Sequence, residues 1–235
     1  KKQANRSVYS MVSSFVENEK LREALSFHTL LVGGNPMKTS SIYALIHKLE
    51  MDGGVWWTKG GTNRLIAGMV RHFERIGGTI RLGDPVVGIE VDDKRAKSVM
   101  TQSGFVQTFD AVASNADIMH SYRDLLGRSQ RGWSMGRRLK RKSYSPGLFV
   151  VHFGLEGTWP GIAHHMILFG PRYKGLLDDI YSNGVLPEDF SIYLHHPSKS
   201  DPSMAPPGMS TFYALVPVAH MGKLAVDWEE MGPLL

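Results

Sequence analysis

Residues 60–93 read GGTNRLIAGMVRHFERIGGTIRLGDPVVGIEVDD, and the change of period inside this stretch decides the fold class. In its first half Leu65, Ile66, Met69, Val70, Phe73 and Ile76 recur at three- and four-residue steps, which predicts a helix with Thr62 at its start and Gly77-Gly78 at its end. From Thr79 the spacing drops to that of strands. Segments 79–82, 86–91, 96–101 and 105–113 are separated by Gly-Asp-Pro, Asp-Asp-Lys and Gln-Ser-Gly turns, so a helix feeds a small antiparallel meander. The chain is therefore expected to be α+β.

Working outward, Val8, Met11, Val12, Phe15 and Val16, then Leu21, Ala24, Leu25 and His28, describe one or two amphipathic helices closed near Gly33-Gly34. Ser40 or Ser41 can cap the next helix, with Ile42, Leu45, Ile46 and Leu49 as its stripe and Gly53-Gly54 as its stop. Val55-Trp56-Trp57 reads as strand. Beyond the meander, Asn115 can cap a helix through Leu126. Strands follow over 148–153, 166–169, 191–194 and 212–216, with one helix over 173–181. Prolines 197, 202, 206 and 207 mark a loop before the last strand.

The chain has 235 residues, 42% hydrophobic and 21% charged, enough to bury a sizeable core in one large domain or two modest ones. It has no Cys, which excludes disulfides, thiolate catalysis and Cys-based zinc sites. The uncharged apolar runs at 148–153 and 212–218 are far shorter than a membrane span, and the first residues do not resemble a signal peptide. Both ends look like cuts in a longer protein, because there is no initiator Met and Val226 to Glu230 opens a helix that the chain never completes.

The basicity is local. Arg128, Arg131, Arg137, Arg138, Lys140, Arg141 and Lys142 follow one another with no acidic residue between, and Trp133, Met135, Leu139 and Tyr144 are interleaved with them. Such a patch is either a solvated face or a contact for an anionic membrane surface, since apolar side chains can enter the headgroup region while cations meet phosphates. No nucleic-acid motif accompanies it.

Strong catalytic signatures are missing: there is no G-x-x-x-x-G-K-[ST], no G-x-S-x-G and no H-E-x-x-H. His164-His165 and His195-His196 are adjacent pairs, and neighbours on a strand point to opposite faces, so no metal site is expected. Gly60-Gly61 stands at a helix N-terminus, where free amides can meet an anion or a flat ligand can approach the backbone; a turn is the alternative reading. The 12 Met, with Trp56, Trp57 and Trp159, either line a flexible apolar cavity or fill the core.

The order of segments is more specific than any motif. Phe27-His28-Thr29-Leu30-Leu31-Val32-Gly33-Gly34-Asn35-Pro36, Ser40 to His47, Gly60 to Leu65, Gly77 to Leu82, Pro85 to Glu90, Ala113 to Asp117, Tyr122 to Leu126, Ala163-His164-His165, Phe169 to Tyr173 and Glu188 to His195 together resemble bacterial phytoene desaturases, flavin-dependent enzymes. The resemblance runs along almost the whole chain, but the family's G-x-G-x-x-G fingerprint and its closing flavin segment are not in it. It implies an α/β flavoprotein parent, FAD as cofactor in the full-length enzyme and poorly retained by this piece, and phytoene or a related carotenoid as substrate. It further implies a cytoplasmic protein peripherally attached to the membrane surface.

By the same resemblance, residues 56–119 would join the FAD-binding domain, while 1–55 and 120–235 would form the substrate and membrane-facing part. Val86 would meet the adenine end of FAD through its backbone, with Gly60, Gly61 and Asn115 as further cofactor contacts. Phe27, His28, Trp56 and Trp57 are the candidate substrate lining. Hydride would pass to the flavin and a proton to a base that the sequence does not identify. Two alternatives stay open: a non-catalytic lipid or carotenoid binding module, and a related flavin oxidase acting on another carotenoid or an amine.

Overall fold

The computed structural model describes residues 4–235, and contacts divide the chain into two compact units, one running to Gly68 and resuming over Tyr144–Leu235, the other Met69–Ser143. These boundaries follow packing and differ from the division expected at 55 and 119.

The first unit opens with α1 (Val8–Ser13) and α2 (Glu19–Ser26), capped by the Ser7 hydroxyl and the Asn18 side-chain oxygen, which accept from the amides of Ser10 and Leu21. A 3-10 turn over Phe27–Val32 ends at Gly33, whose φ of 73° is the left-handed geometry that closes a helix. Ser40 caps a further 3-10 turn (Ser41–Ala44), which leads into α3 (Leu45–Gly53) and stops at Gly54. Val55-Trp56-Trp57 forms no strand, contrary to its aromatic pattern. Both indoles are engaged instead: Trp56 donates to the Gly53 carbonyl at 2.7 Å and Trp57 to the Asp201 carboxylate at 3.3 Å. The long helix α4 (Thr62–Arg75) follows, as its periodicity predicts, and the boundary of the first unit falls within it, after Gly68.

The rest of the first unit is a four-stranded antiparallel sheet of β4 (Gly147–Glu156), β5 (His165–Leu168), β6 (Ile192–His195) and β7 (Met209–Val218), in the order β4-β7-β6-β5. Buried apolar side chains lie on both sides of β7: Tyr173, Leu176, Leu177 and Ile180 come from the region of α7, whose side faces Tyr213 and Leu215, and Phe212, which stacks on Phe153 and His196, occupies the opposite face. α7 (Tyr173–Asp178) is prolonged by a wider turn over Asp179–Asn183, and α8 (Trp228–Met231) is capped by Asp227.

In the second unit β1 (Val86–Asp92), β2 (Arg95–Thr101) and β3 (Val106–Thr108) form the expected meander. Asp93 and Lys94, both at positive φ, make its first hairpin turn. Residues 79–82 are not a strand, because no strand runs beside them among the described residues and an extended segment depends on a ladder. The helix expected from Asn115 starts later. Asp117 caps it by accepting from the amides of Met119 and His120, and it consists of α5 (Ile118–His120) and a wide turn over Ser121–Leu125. The basic stretch forms α6 (Gln130–Leu139), capped by the Ser129 hydroxyl.

Candidate functional site

The first unit encloses a cavity of about 460 Å³ between the 3-10 turn, α7 and the sheet. Phe27, Leu30, Leu177 and Leu215 give it hydrocarbon walls, and Tyr193 and Tyr213 close one side with rings 5.7 Å apart, edge to face. Tyr213 reaches the cavity because alternation along β7 sends Phe212 into the core and its neighbour the other way.

The two tyrosines lead into a histidine cluster that sequence reasoning did not assemble. The ring of His195 lies 4.6 Å from Tyr213, and His165 Nδ1 is 2.6 Å from the Tyr193 hydroxyl. His164 Nε2 is 2.9 Å from His195 Nε2, while its Nδ1 is 2.6 Å from the Ser200 hydroxyl. The expectation that adjacent histidines diverge fails for a local reason. His164 occupies a bend just before β5, so its ring sits 4.4 Å from that of His165, and the antiparallel register places His195 opposite His165. Burial pushes the pKa of His195 down to about 4, reinforced by His164, His165 and His196. Burial likewise lowers His164 and His165, so near pH 7 the cluster is neutral.

Beyond it Trp57 packs against His164, with ring centroids 4.9 Å apart. Asp201, which is buried, accepts from Trp57 Nε1 and from the Gly60 amide at 2.5 Å on one oxygen, and from the amide and hydroxyl of Ser203 on the other. The Gly60 amide, ahead of Ser203, holds the Asp201 carboxyl at about 2. The amide that the sequence offered to an outside anion is thus already bound to a resident carboxylate. Gly60 and Gly61 have φ of 83° and 80°, and a Cβ on Gly61 would stand 3.2 Å from the Met204 methyl.

The remaining sequence candidates fall in different places. Phe27 lines the cavity. His28 does not; its Nε2 lies 3.1 Å from Glu50, its ring 3.6 Å from that of His47, and burial lowers its pKa. Trp56 is 89% exposed and does not line the cavity. In the second unit Val86 and Asn115 come together on a trough of about 450 Å³, with Ile89, Val99 and Phe109 as its apolar floor. Beside it the main chain of residues 111–115 belongs to no helix or strand.

The first unit is thus an antiparallel sheet with helices around an apolar cavity, and the second a small meander with short helices. The solved structure of an oxidoreductase from Methanosarcina mazei shares the fold with a TM-score of 0.71 at 19% identity, over 99% of this chain and 52% of that one. Residues 2–233 match the family described as flavin containing amine oxidoreductase, and the chain belongs to that family. It is similar to the lycopene-forming phytoene desaturases of Paracoccus sp., at 54% identity over 99% of this chain and 46% of that protein, and of Pantoea ananas, at 47% over 100% and 48%. The chain spans about half the length of these curated relatives.

Proposed function

We propose that this chain is part of an FAD-dependent desaturase that removes hydrogen from phytoene on the way to lycopene. The observation that carries the reading is the hydrocarbon-walled cavity with its two tyrosines, found in a chain 54% identical to a lycopene-forming phytoene desaturase. A substrate without hydrogen-bonding groups is held by shape and apolar contact alone, and such a wall suits it. The lycopene product is favoured because lycopene-forming relatives match at 47% to 54% and neurosporene-forming ones at 40% to 43%.

FAD fits the second unit in one respect. The trough at Val86 and Asn115 offers an apolar floor beside main chain not committed to a ladder, which suits the adenine end of a dinucleotide. When bound, the flavin supplies two-electron oxidation of a carbon–carbon single bond. Gly60 and Gly61 would serve by letting a flat group approach the backbone, since the Gly60 amide is taken by Asp201. In this reading residues 56–119 contribute to cofactor binding, while 1–55 and 120–235 contribute to the substrate side, with Phe27 and Trp57 nearest the cavity and the histidines. His28 and Trp56, which do not line the cavity, are given no part in it. The apolar stripe of α4, with Leu65, Ile66, Met69 and Phe73 exposed and Ile76 just beyond its end, fits a surface that packs on further protein.

The substrate resides in a membrane, and α6 supplies a means of reaching it. Trp133 is exposed under the Arg137 guanidinium, which lies 4.9 Å from the indole ring, and Arg138, Arg141 and Lys142 surround the same trough. No helix among the described residues is long and apolar enough to cross a membrane. We place this protein on the cytoplasmic membrane surface as a peripheral enzyme.

The test is the intact gene product incubated with FAD and phytoene-bearing liposomes, read by flavin absorbance and product analysis. Bound flavin with newly conjugated polyene is expected. A protein that takes up phytoene without binding flavin or altering the substrate would overturn the enzyme reading in favour of a binding module.

A further inference from the structure

We propose that His164, His165 and His195 form a binding site for a divalent first-row transition metal, of the zinc or cobalt type, at the junction of β5 and β6. Each of the three offers one ring nitrogen, and these nitrogens all lie within 4.8 Å of one another. Four-coordinate zinc at about 2.0–2.1 Å from imidazole nitrogen holds its ligand atoms roughly 3.3 Å apart, so the triad closes with displacements of about 1.5 Å or less, within the reach of side-chain rotation. His195 is fixed on β6 in register with His165, and His164 is carried beside them by the bend. Imidazoles, with a fourth position left to water, are the donor set that zinc, cobalt, nickel and copper prefer, and magnesium or calcium would not choose them.

Three further observations support this. Two ring nitrogens face each other at 2.9 Å, an arrangement in which at most one carries the intervening proton and a lone pair is always present for a cation. The Nδ1 atoms of His164 and His165 are held by the Ser200 and Tyr193 hydroxyls, the outer contacts that orient ligating histidines. His165 is exposed while His195 is buried, so the site has an anchored floor and an open approach for the ion. The other grouping, His28 with His47 and Glu50, is less suited: His28 Nε2 already meets Glu50 and His47 Nε2 the Leu25 carbonyl. A metal at the triad would tie the start of β5 to the end of β6 and, through Ser200, to the loop whose Asp201 holds Gly60 and Trp57. This inference does not depend on the desaturase reading.

The intact protein, stripped with a chelator, is titrated with Co²⁺ under absorbance detection and with Zn²⁺ by calorimetry, and its thermal midpoint is followed with and without Zn²⁺. One equivalent per chain, tetrahedral cobalt bands in the visible and a raised midpoint are expected. His164→Gln and His165→Gln, both at positions outside the buried core, are expected to weaken binding more than tenfold, and His47→Gln to leave it unchanged. Absence of binding, binding that survives both triad variants, or binding lost only in His47→Gln would each overturn the proposal.

Discussion

Replacing Phe212 by Ala tests whether the inner face of β7 is what holds the first unit together and keeps the cavity in shape. Phe212 is 2% exposed, stacks on Phe153 at 5.4 Å across the β4–β7 pair and on His196 at 4.2 Å, and shares its strand with Tyr213 on the cavity side. A buried phenylalanine removes about 150–250 Å² from water, worth roughly 4–6 kcal/mol at about 25 cal/mol per Å² before the compactness of the unfolded chain is allowed for. The remaining methyl and partial collapse of the gap bring the expected loss for Phe212→Ala to about 3–5 kcal/mol, or about 10 °C or more in Tm. Phe212→Leu keeps most of the volume and is expected to cost about 1.5 kcal/mol. Urea unfolding of the purified protein, followed by tryptophan fluorescence, reads both. Trp56, Trp57, Trp159 and Trp228 report the first unit and Trp133 the second, so the transition that moves is identifiable by removing Trp133. Tyr213→Phe, on the opposite face, should stay within about 1 kcal/mol. If Phe212→Ala unfolds within about 1 kcal/mol of the parent at unchanged m-value, the core does not lie where it has been placed, and the cavity walls lose their support in the argument.

In the second unit, a Cβ on Gly132 would lie 1.9 Å from the Leu126 carbonyl oxygen, so Gly132→Ala should cost about 2–3 kcal/mol by displacing α6, read by the Trp133 transition; Gly53→Ala, with nothing within 4 Å, should be neutral or slightly stabilising. The Asp201 carboxyl is held at about 2 against an ordinary 3.8, so the unfolded chain binds the proton more readily. The stability it contributes is complete above about pH 4 and is lost as pH falls toward 2, and in Asp201→Asn the acid limb of the stability curve should flatten across that window. Arg137→Gln, Arg138→Gln, Arg141→Gln and Lys142→Gln should each weaken binding to anionic vesicles about fivefold at low salt, as about 1 kcal/mol per cation requires, with the difference shrinking as salt rises. Equal binding of the quadruple variant and the parent would refute the membrane role of α6.

What was legible in the sequence was local. Gly33, Gly54 and Gly77, all at positive φ, end helical turns as read, and the strands near 86, 96, 148, 166, 192 and 212 are where their alternation placed them. Each of these is settled by residues within a few positions of one another. The misreadings share the opposite property. Residues 79–82 have strand composition and no strand to pair with, and Trp56 and Trp57 carry aromatic character that a pattern assigns to a ladder, when their indole N–H groups are spent on a carbonyl and a carboxylate. Asn115 lost the cap to Asp117, whose carboxylate accepts two amides at once. The helix of α4 is where its period placed it, and its apolar stripe is exposed.

The site follows the same rule with more consequence. Trp57 and Asp201 are 144 residues apart and Gly60 and Asp201 are 141, so no window of sequence contains the contact that fixes the glycine turn. A glycine pair at a helix start is read as an anion site because its amides are free, and here the chain supplies the anion itself. That exchange changes what the turn can do. With its amide satisfied, Gly60 has no donor left for a phosphate, and the positive φ of Gly60 and Gly61 serves to keep the backbone bare of side chains beside Trp57 and Met204. The histidines obey the same logic. Two adjacent pairs look divergent when each is judged alone, and they converge because one bend and one antiparallel register, neither visible in either pair, put three rings within reach of a single ion.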